Sequence, residues 1–261
     1  MPMRTTEERT PVITRTFEVL GQVTLPLFEE AIGPPKLVGT GFLVLHNDQP
    51  FLLSAGHVLK QLQSKHLYYY VEKGKVRKVT GRLTTNHHDG SPESDLVDVG
   101  AVRMEGIGLP PYQSVGKYLW SSEDIKLERI ANTTATYGFV GYPATRSTAK
   151  FNPKELRVEP YAYLTGSAQL SEYSVFGVAP WSHLCLTFDK KKSRGLDGGG
   201  RSFPKPHGVS GSPVFLLDTG SDADKPENFE LAGLITTWRP REKRILATSG
   251  ALLLGLLRAA A

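Results

Sequence analysis

The apolar positions of this chain come in short runs, each broken by glycine, proline or a cluster of polar residues. Runs of that length bounded by turn formers read as β-strands rather than helices. The clearest pair is Gly41 to Leu45 and Phe51 to Leu53, with the polar turn His46-Asn47-Asp48 between them. Further strands are expected over Leu67 to Val71, Val76 to Leu83, Val99 to Val102, Thr134 to Val140, Leu184 to Phe188, Val214 to Leu217 and Leu231 to Trp238. One stretch departs from the pattern: SGALLLGLLRAAA at the C-terminus reads as a helix. No fixed-period repeat and no heptad pattern appears, so the pattern predicts an all-β chain ending in a short helix.

Composition narrows this picture. A chain of 261 residues can bury a real core as one compact unit or two fused sub-barrels. Its 26 glycines and 18 prolines suit a turn-rich β-protein. No segment approaches the ~20 apolar residues that span a bilayer, so no membrane contact is expected. The N-terminal MPMRTTEERTPVITRTFEVL has no apolar run of signal-peptide length, and a cytoplasmic location is the expectation. Cys185 is the single cysteine, which rules out an intramolecular disulfide and fits a reducing compartment. It lies in the apolar run LCLTF and reads as a packing residue.

The net charge of +5 is modest, and the basic cluster DKKKSRGLDGGGR, Asp189 to Arg201, reads as a glycine-rich surface loop. No aromatic platform or recognition motif accompanies it, so nucleic acid is not an expected partner. The loop precedes Ser210 and is a candidate gate or self-cleavage site. His87-His88-Asp89 resembles a metal ligand set but has no partner motif, and no metal or other cofactor is assigned.

Chemistry enters at GVSGSPVF, Gly208 to Phe215. Ser210 sits between glycines on a tight turn leading into an apolar strand. Gly208 and Gly211 let the backbone fold closely, so amides beside the serine can converge on one oxyanion. Upstream, Ser54-Ala55-Gly56 deliver His57 at the end of a strand, where small neighbours leave the ring room. Asp98 opens the run Val99-Gly100-Ala101-Val102, placing a carboxylate at a strand mouth. Asp95 is the rival acid, but choosing it would bury Asp98 in the following strand as an unpaired charge. The chain order is thus His57, Asp98, Ser210, one of several orders in which a Ser-His-Asp triad occurs.

Together GTGF, SAGHV, DVGAV and GxSGxPVF resemble the chymotrypsin-fold (trypsin-like) serine peptidases, over about Lys36 to Thr237. The likeness is greater to the bacterial disulfide-free branch related to the high-temperature-requirement peptidases. It implies two packed antiparallel β-barrels of chymotrypsin type with the short C-terminal helix on the second. In that arrangement residues 1–35 are an N-terminal extension. Residues 36–120 form a first barrel with His57 and Asp98, and 121–261 a second with Ser210. YGFVGYPA, Tyr137 to Ala144, would open the second barrel, and Pro110 to Ser122 would connect the two.

By the same resemblance Ser210 is the nucleophile, His57 the base and Asp98 the group that orients it. The amides of Gly208 and Ser210 form the oxyanion hole. Thr236 falls where a serine usually bonds the catalytic acid, and Thr237 and Trp238 flank the substrate pocket. Pro204 replaces the aspartate of pockets that select Lys or Arg, so that specificity is disfavoured. Trp238 narrows the pocket toward small or medium apolar side chains. His207 is a loop residue beside the same turn. Val209 stands where cleavage-activated relatives carry an aspartate, and Ser212 replaces the usual second glycine. The expected activity is serine endopeptidase, acting on protein or peptide substrates and leaving room for a regulatory protein partner. The alternative is a catalytically silent relative serving as a protein-binding scaffold.

Overall fold

Asn47 and Asp48 take left-handed backbone angles, φ 49° and 59°. Two such residues make the hairpin turn whose twist matches the flanking strands, and Asn and Asp tolerate it better than most. That turn joins β2 (Lys36–His46) to β3 (Gln49–Ala55), with His46 paired to Gln49. The computed structural model describes residues 20–21, 24–30, 35–72, 75–86, 97–105, 120–125, 135–146, 158–190, 203–217 and 229–261.

The hairpin is the centre of a sheet that also contains β1 (Thr24–Glu29), β4 (Leu67–Glu72), β5 (Lys75–Lys78), β6 (Gly81–Thr85), β7 (Val99–Met104) and β8 (Trp120–Ser121). The order is β5-β4-β1-β2-β3-β7-β6, all antiparallel, with β8 added parallel to β2. A second sheet runs β10 (Tyr161–Gly166), β9 (Thr136–Gly141), β12 (Pro213–Leu217), β13 (Phe229–Arg239), β14 (Arg244–Ser249) and β11 (His183–Thr187). A bridge from Ser167 to Leu186 ties its two edges, β10 and β11, into a barrel. The chain is therefore all-β, with two curled antiparallel sheets of chymotrypsin-like type, as expected.

Three short helices complete the described residues: α1 (Gly56–Leu59), α2 (Leu170–Tyr173) and α3 (Gly250–Ala260). Leu253, Leu256, Leu257 and Ala260 repeat at the spacing of one helix face and are buried. The expectation put this helix on the second barrel. α3 does pack there, on β13 and β14, and it also lies across β6 and β7 of the first sheet, where its leucines share one core with Leu52, Ala101 and Val102. Arg103 of β7 donates to the Ala261 carbonyl at 3.0 Å.

Two further expectations need correction. Val76 to Leu83 is not one strand: Gly81 has φ 143°, and a Cβ there would lie 1.9 Å from the Arg103 carbonyl oxygen. The break sends β5 to one edge of the sheet and β6 to the other. Thr24–Glu29, read as part of an extension ending at residue 35, lies between β4 and β2 with every residue buried. A strand covered on both faces shows no alternation, and Pro26 and Glu29 hid what apolar signal remained.

The second barrel has an aromatic core. Tyr163 and Phe188 have ring centroids 4.8 Å apart, and Phe188 meets Phe203 edge-on at 5.2 Å. Cys185 is fully buried with Tyr173, Val178 and Leu246. Burial pushes its thiol pKa up to about 11, so it is a packing residue and not a thiolate nucleophile. Among the described residues no helix is long and apolar enough to cross a membrane.

Candidate active site

Strand pairing brings His57 and Asp98 together. Ala55, the last residue of β3, faces Val99, the first of β7, so the residues just outside the ladder are neighbours. His57 lies in the first turn of α1 rather than on the strand itself. Asp98 grips the chain at two levels. Its backbone carbonyl accepts the Gly56 N–H at 3.1 Å, and one carboxylate oxygen accepts the His57 N–H at 2.8 Å. The other oxygen lies 2.5 Å from His57 Nδ1. A carboxylate only accepts, so this bond takes the Nδ1 proton, and in the neutral tautomer it selects Nε2 carries the lone pair. The Asp98 side chain is 1% exposed and that of His57 30%, so the acid is sealed and the ring reaches solvent.

Ser210 belongs to the other sheet, on the turn before β12. Gly208 and Gly211 take φ 92° and 90°, which side chains resist, and this is why the turn requires glycine there. The peptide groups of the turn are held from behind. The His207 carbonyl accepts the Ala144 N–H at 2.7 Å, and the Val209 carbonyl accepts the Ser212 N–H at 3.0 Å. In a trans peptide the N–H points opposite to the carbonyl. Those two bonds therefore direct the Gly208 and Ser210 N–H groups to the opposite side, where neither has a partner among the described residues. The neighbouring N–H groups of Val209 and Gly211 are bonded, to the carbonyls of Pro206 and Ile235.

The two halves meet tightly. A Cβ on Gly39 of β2 would lie 2.7 Å from Val58, the residue after His57, and 3.2 Å from the Ser210 carbonyl. His57 and Ser210 nevertheless share no hydrogen bond here. The serine hydroxyl donates to the Thr236 carbonyl at 3.3 Å.

The neighbouring residues depart from the sequence reading in one respect. Thr236 is buried, but its hydroxyl donates to the Leu246 carbonyl at 3.4 Å and not to Asp98. The cause is a register shift in β13 between Ile235 and Thr237, which turns this residue toward β14. Thr237 and Trp238 follow, both half-buried. The His207 ring meets the Trp238 ring edge-on at 6.2 Å, and the Lys190 ammonium sits over its face at 4.6 Å. Pro204 is half-buried beside the fully buried Phe203.

Val209 is buried in the aromatic core of the second barrel. Ser212 faces Gly141, where a Cβ would lie within 2.4 Å of its hydroxyl oxygen, so the extra atom of this serine is accommodated by a missing one. Asp95, the histidine pair His87-His88, the basic residues beyond Lys190 and most of the connector lie outside the described residues. Thr40, Ser54 and Ala144, which hold the nucleophile turn, were missed in the sequence. Each lies within one of the motifs GTGF, SAGHV and YGFVGYPA, and that membership was the only mark of this role.

No family model matches the sequence, and no curated protein matches it. Solved structures do. Neuropsin, a serine protease expressed in the limbic system of mouse brain, has 14% identity and a TM-score of 0.56 over 91% of this chain and 93% of its own. A serine endoprotease from Yersinia pestis has 12% identity and a TM-score of 0.52, covering 99% of this chain and 68% of that one. Glu endopeptidase has 13% identity and a TM-score of 0.51 over 95% and 93%. At such identities the likeness is one of architecture: this chain has the chymotrypsin-like two-barrel fold of these serine proteases.

Proposed function

We propose that the protein is a serine endopeptidase acting through Ser210, His57 and Asp98. One observation carries the reading. Asp98 fixes the His57 ring through Nδ1, on the barrel facing a glycine turn where the N–H groups of Gly208 and Ser210 have no partner among the described residues. Rotation of Ser210 about its Cα–Cβ bond exchanges the Thr236 carbonyl for Nε2 as hydrogen-bond acceptor. Catalytic hydrogen bonds are often incomplete before substrate binds.

The serine oxygen then attacks the scissile carbonyl carbon while its proton passes to Nε2. The carbonyl oxygen gains the negative charge and is met by the N–H groups of Gly208 and Ser210. Collapse of the tetrahedral species breaks the C–N bond, and Nε2 returns the proton to the departing amine. Water, deprotonated by the same nitrogen, releases the acyl group and restores the serine. Nucleophile, base and oxyanion donors all come from the chain, so this chemistry calls for no metal or organic cofactor.

The sequence motifs and the single cysteine favour the disulfide-free bacterial branch of the fold, working in the cytoplasm on protein or peptide substrates. A second reading, a silent scaffold, draws on the Ser210 hydroxyl facing Thr236 rather than His57. A fluorophosphonate probe separates the two. A stable adduct located at Ser210 by peptide mass spectrometry, and absent from Ser210→Ala, is the expected result. No adduct would leave the scaffold reading. In a peptidase assay Ser210→Ala should lower kcat by roughly 10⁴–10⁶-fold.

A further inference from the structure

We infer that Thr40 is a positioning residue of this site: its hydroxyl, reaching from the first barrel, holds the nucleophile turn of the second with the Gly208 and Ser210 amides free. The inference rests on the peptidase reading and adds to it how the oxyanion site is kept in shape. Thr40 lies on β2 and is fully buried. Its N–H donates to the Ser210 carbonyl at 2.9 Å. Its hydroxyl donates to the Gly208 carbonyl at 2.8 Å and accepts the Tyr142 N–H at 3.1 Å. Its own carbonyl accepts the Ser54 hydroxyl at 2.6 Å.

The direction of these bonds is fixed by chemistry. A carbonyl cannot donate and an amide N–H cannot accept, so the single hydroxyl proton must point at Gly208. The β-branched side chain has few rotamers, and Thr40 lies in the interior, where an unmade bond is costly. Gly208, like Gly211, is a residue of the turn free to rotate, since glycine at φ 92° has other conformations open to it. The Ala144 N–H restrains the peptide before Gly208, and the Thr40 hydroxyl restrains the peptide after it. Between them the Gly208 N–H has one orientation.

An ion pair at the residue before the nucleophile is a different way to hold such a turn. Here that residue is Val209, 1% exposed among Phe139, Tyr161 and Phe203, with no place for a charge. A neutral hydrogen bond from the other barrel takes over the work. The turn is consequently set without chain cleavage, and its shape depends on the fit of the barrels.

The test compares full-length wild type, Thr40→Val and Thr40→Ser, using fluorophosphonate labelling and p-nitrophenyl acetate hydrolysis. Valine keeps the shape and loses the hydroxyl, whereas serine keeps the hydroxyl. Labelling rate and kcat of Thr40→Val should fall by roughly 10²-fold, the scale of losing one oxyanion donor, with KM little changed. Thr40→Ser should stay near wild type. A valine variant equal to wild type overturns the inference. So does a serine variant as weak as valine, or a KM effect without a kcat effect. If Thr40→Val does not fold, Thr40→Ala replaces it; failure of both to fold makes Thr40 structural and also overturns the inference. A wild type that takes no label refutes the peptidase reading itself, a result distinct from all of these.

Discussion

Gly211→Ala is the sharpest test of the seam between the barrels, because it adds one carbon where the structure has no room. That Cβ would lie 1.9 Å from the Thr40 carbonyl oxygen and 2.2 Å from the Ser54 hydroxyl oxygen. Both are atoms of the first barrel; the carbonyl is backbone and cannot swing aside, and the hydroxyl can turn only by giving up its bond to Thr40. Alanine at φ 90° costs about 1–2 kcal/mol for the left-handed backbone alone. Overpacking adds about 1–3 kcal/mol. Parting the seam weakens the Thr40 N–H bond to Ser210, and displacing the Ser54 hydroxyl weakens its bond to the Thr40 carbonyl, each worth about 1 kcal/mol. The expected loss is about 3–6 kcal/mol, a large share of the ~5–15 kcal/mol that holds a typical domain.

Gly177→Ala is the internal control: φ is 65°, but nothing lies within 4 Å of its Cβ, so only the backbone cost of about 1 kcal/mol applies. Urea unfolding of wild type and both variants, followed by tryptophan fluorescence, gives the comparison. If Gly211→Ala unfolds within about 1 kcal/mol of Gly177→Ala, the close approach of the barrels at this turn is refuted.

Asp98→Asn should leave the fold standing and lower p-nitrophenyl acetate turnover by about 10⁴-fold, since the two bonds use different carboxylate oxygens and the asparagine NH2, a donor, must take one of those positions. Turnover near wild type would exclude Asp98 as the orienting acid. For Glu29, burial works against the charge, but hydrogen bonds and attraction from Lys65 and Lys36 outweigh it and hold its pKa below the usual 4.5. A lowered pKa makes the charged form stabilising above pH 4.5, and that contribution fades as pH falls through the depressed value. Wild type should therefore exceed Glu29→Gln in stability at neutral pH, with the gap closing in acid; a gap that widens in acid contradicts the pairing. Gly255 is exposed inside α3 with nothing near its Cβ, so Gly255→Ala should stabilise by about 0.5–1 kcal/mol, read as a rise in Tm. A fall in Tm would show that the position is not a free helical surface.

What the sequence disclosed was what local chemistry encodes. The Asn47-Asp48 hairpin, the glycine turn around Ser210 and the carboxylate at the mouth of β7 each follow from a few adjacent residues. Preference for Asp98 over Asp95 came from asking which charge the next strand would bury. Features set by distant partners stayed hidden. The Thr40 hydroxyl meets a carbonyl 168 positions away, and nothing in GTGF says so. The resemblance put the Thr236 hydroxyl on the acid, and the register shift in β13, which a motif match does not show, turns it to the Leu246 carbonyl. The contact of α3 with the first sheet stayed hidden because an amphipathic face shows that it is buried but not against what.

The seam also bears on how such a protein can change over generations. Its fit is written in main-chain hydrogen bonds and in side chains that are absent, at Gly39, Gly208 and Gly211. Backbone atoms are the same whatever residue carries them, so each barrel can replace nearly all of its interior while the join stays legible to its partner. Few letters of the alphabet are then under inspection at the boundary. Two-barrel chains that share only 12–14% identity superimpose along most of their length. Those few letters carry a disproportionate hazard, because no rearrangement within one barrel can restore a gap that the other must supply.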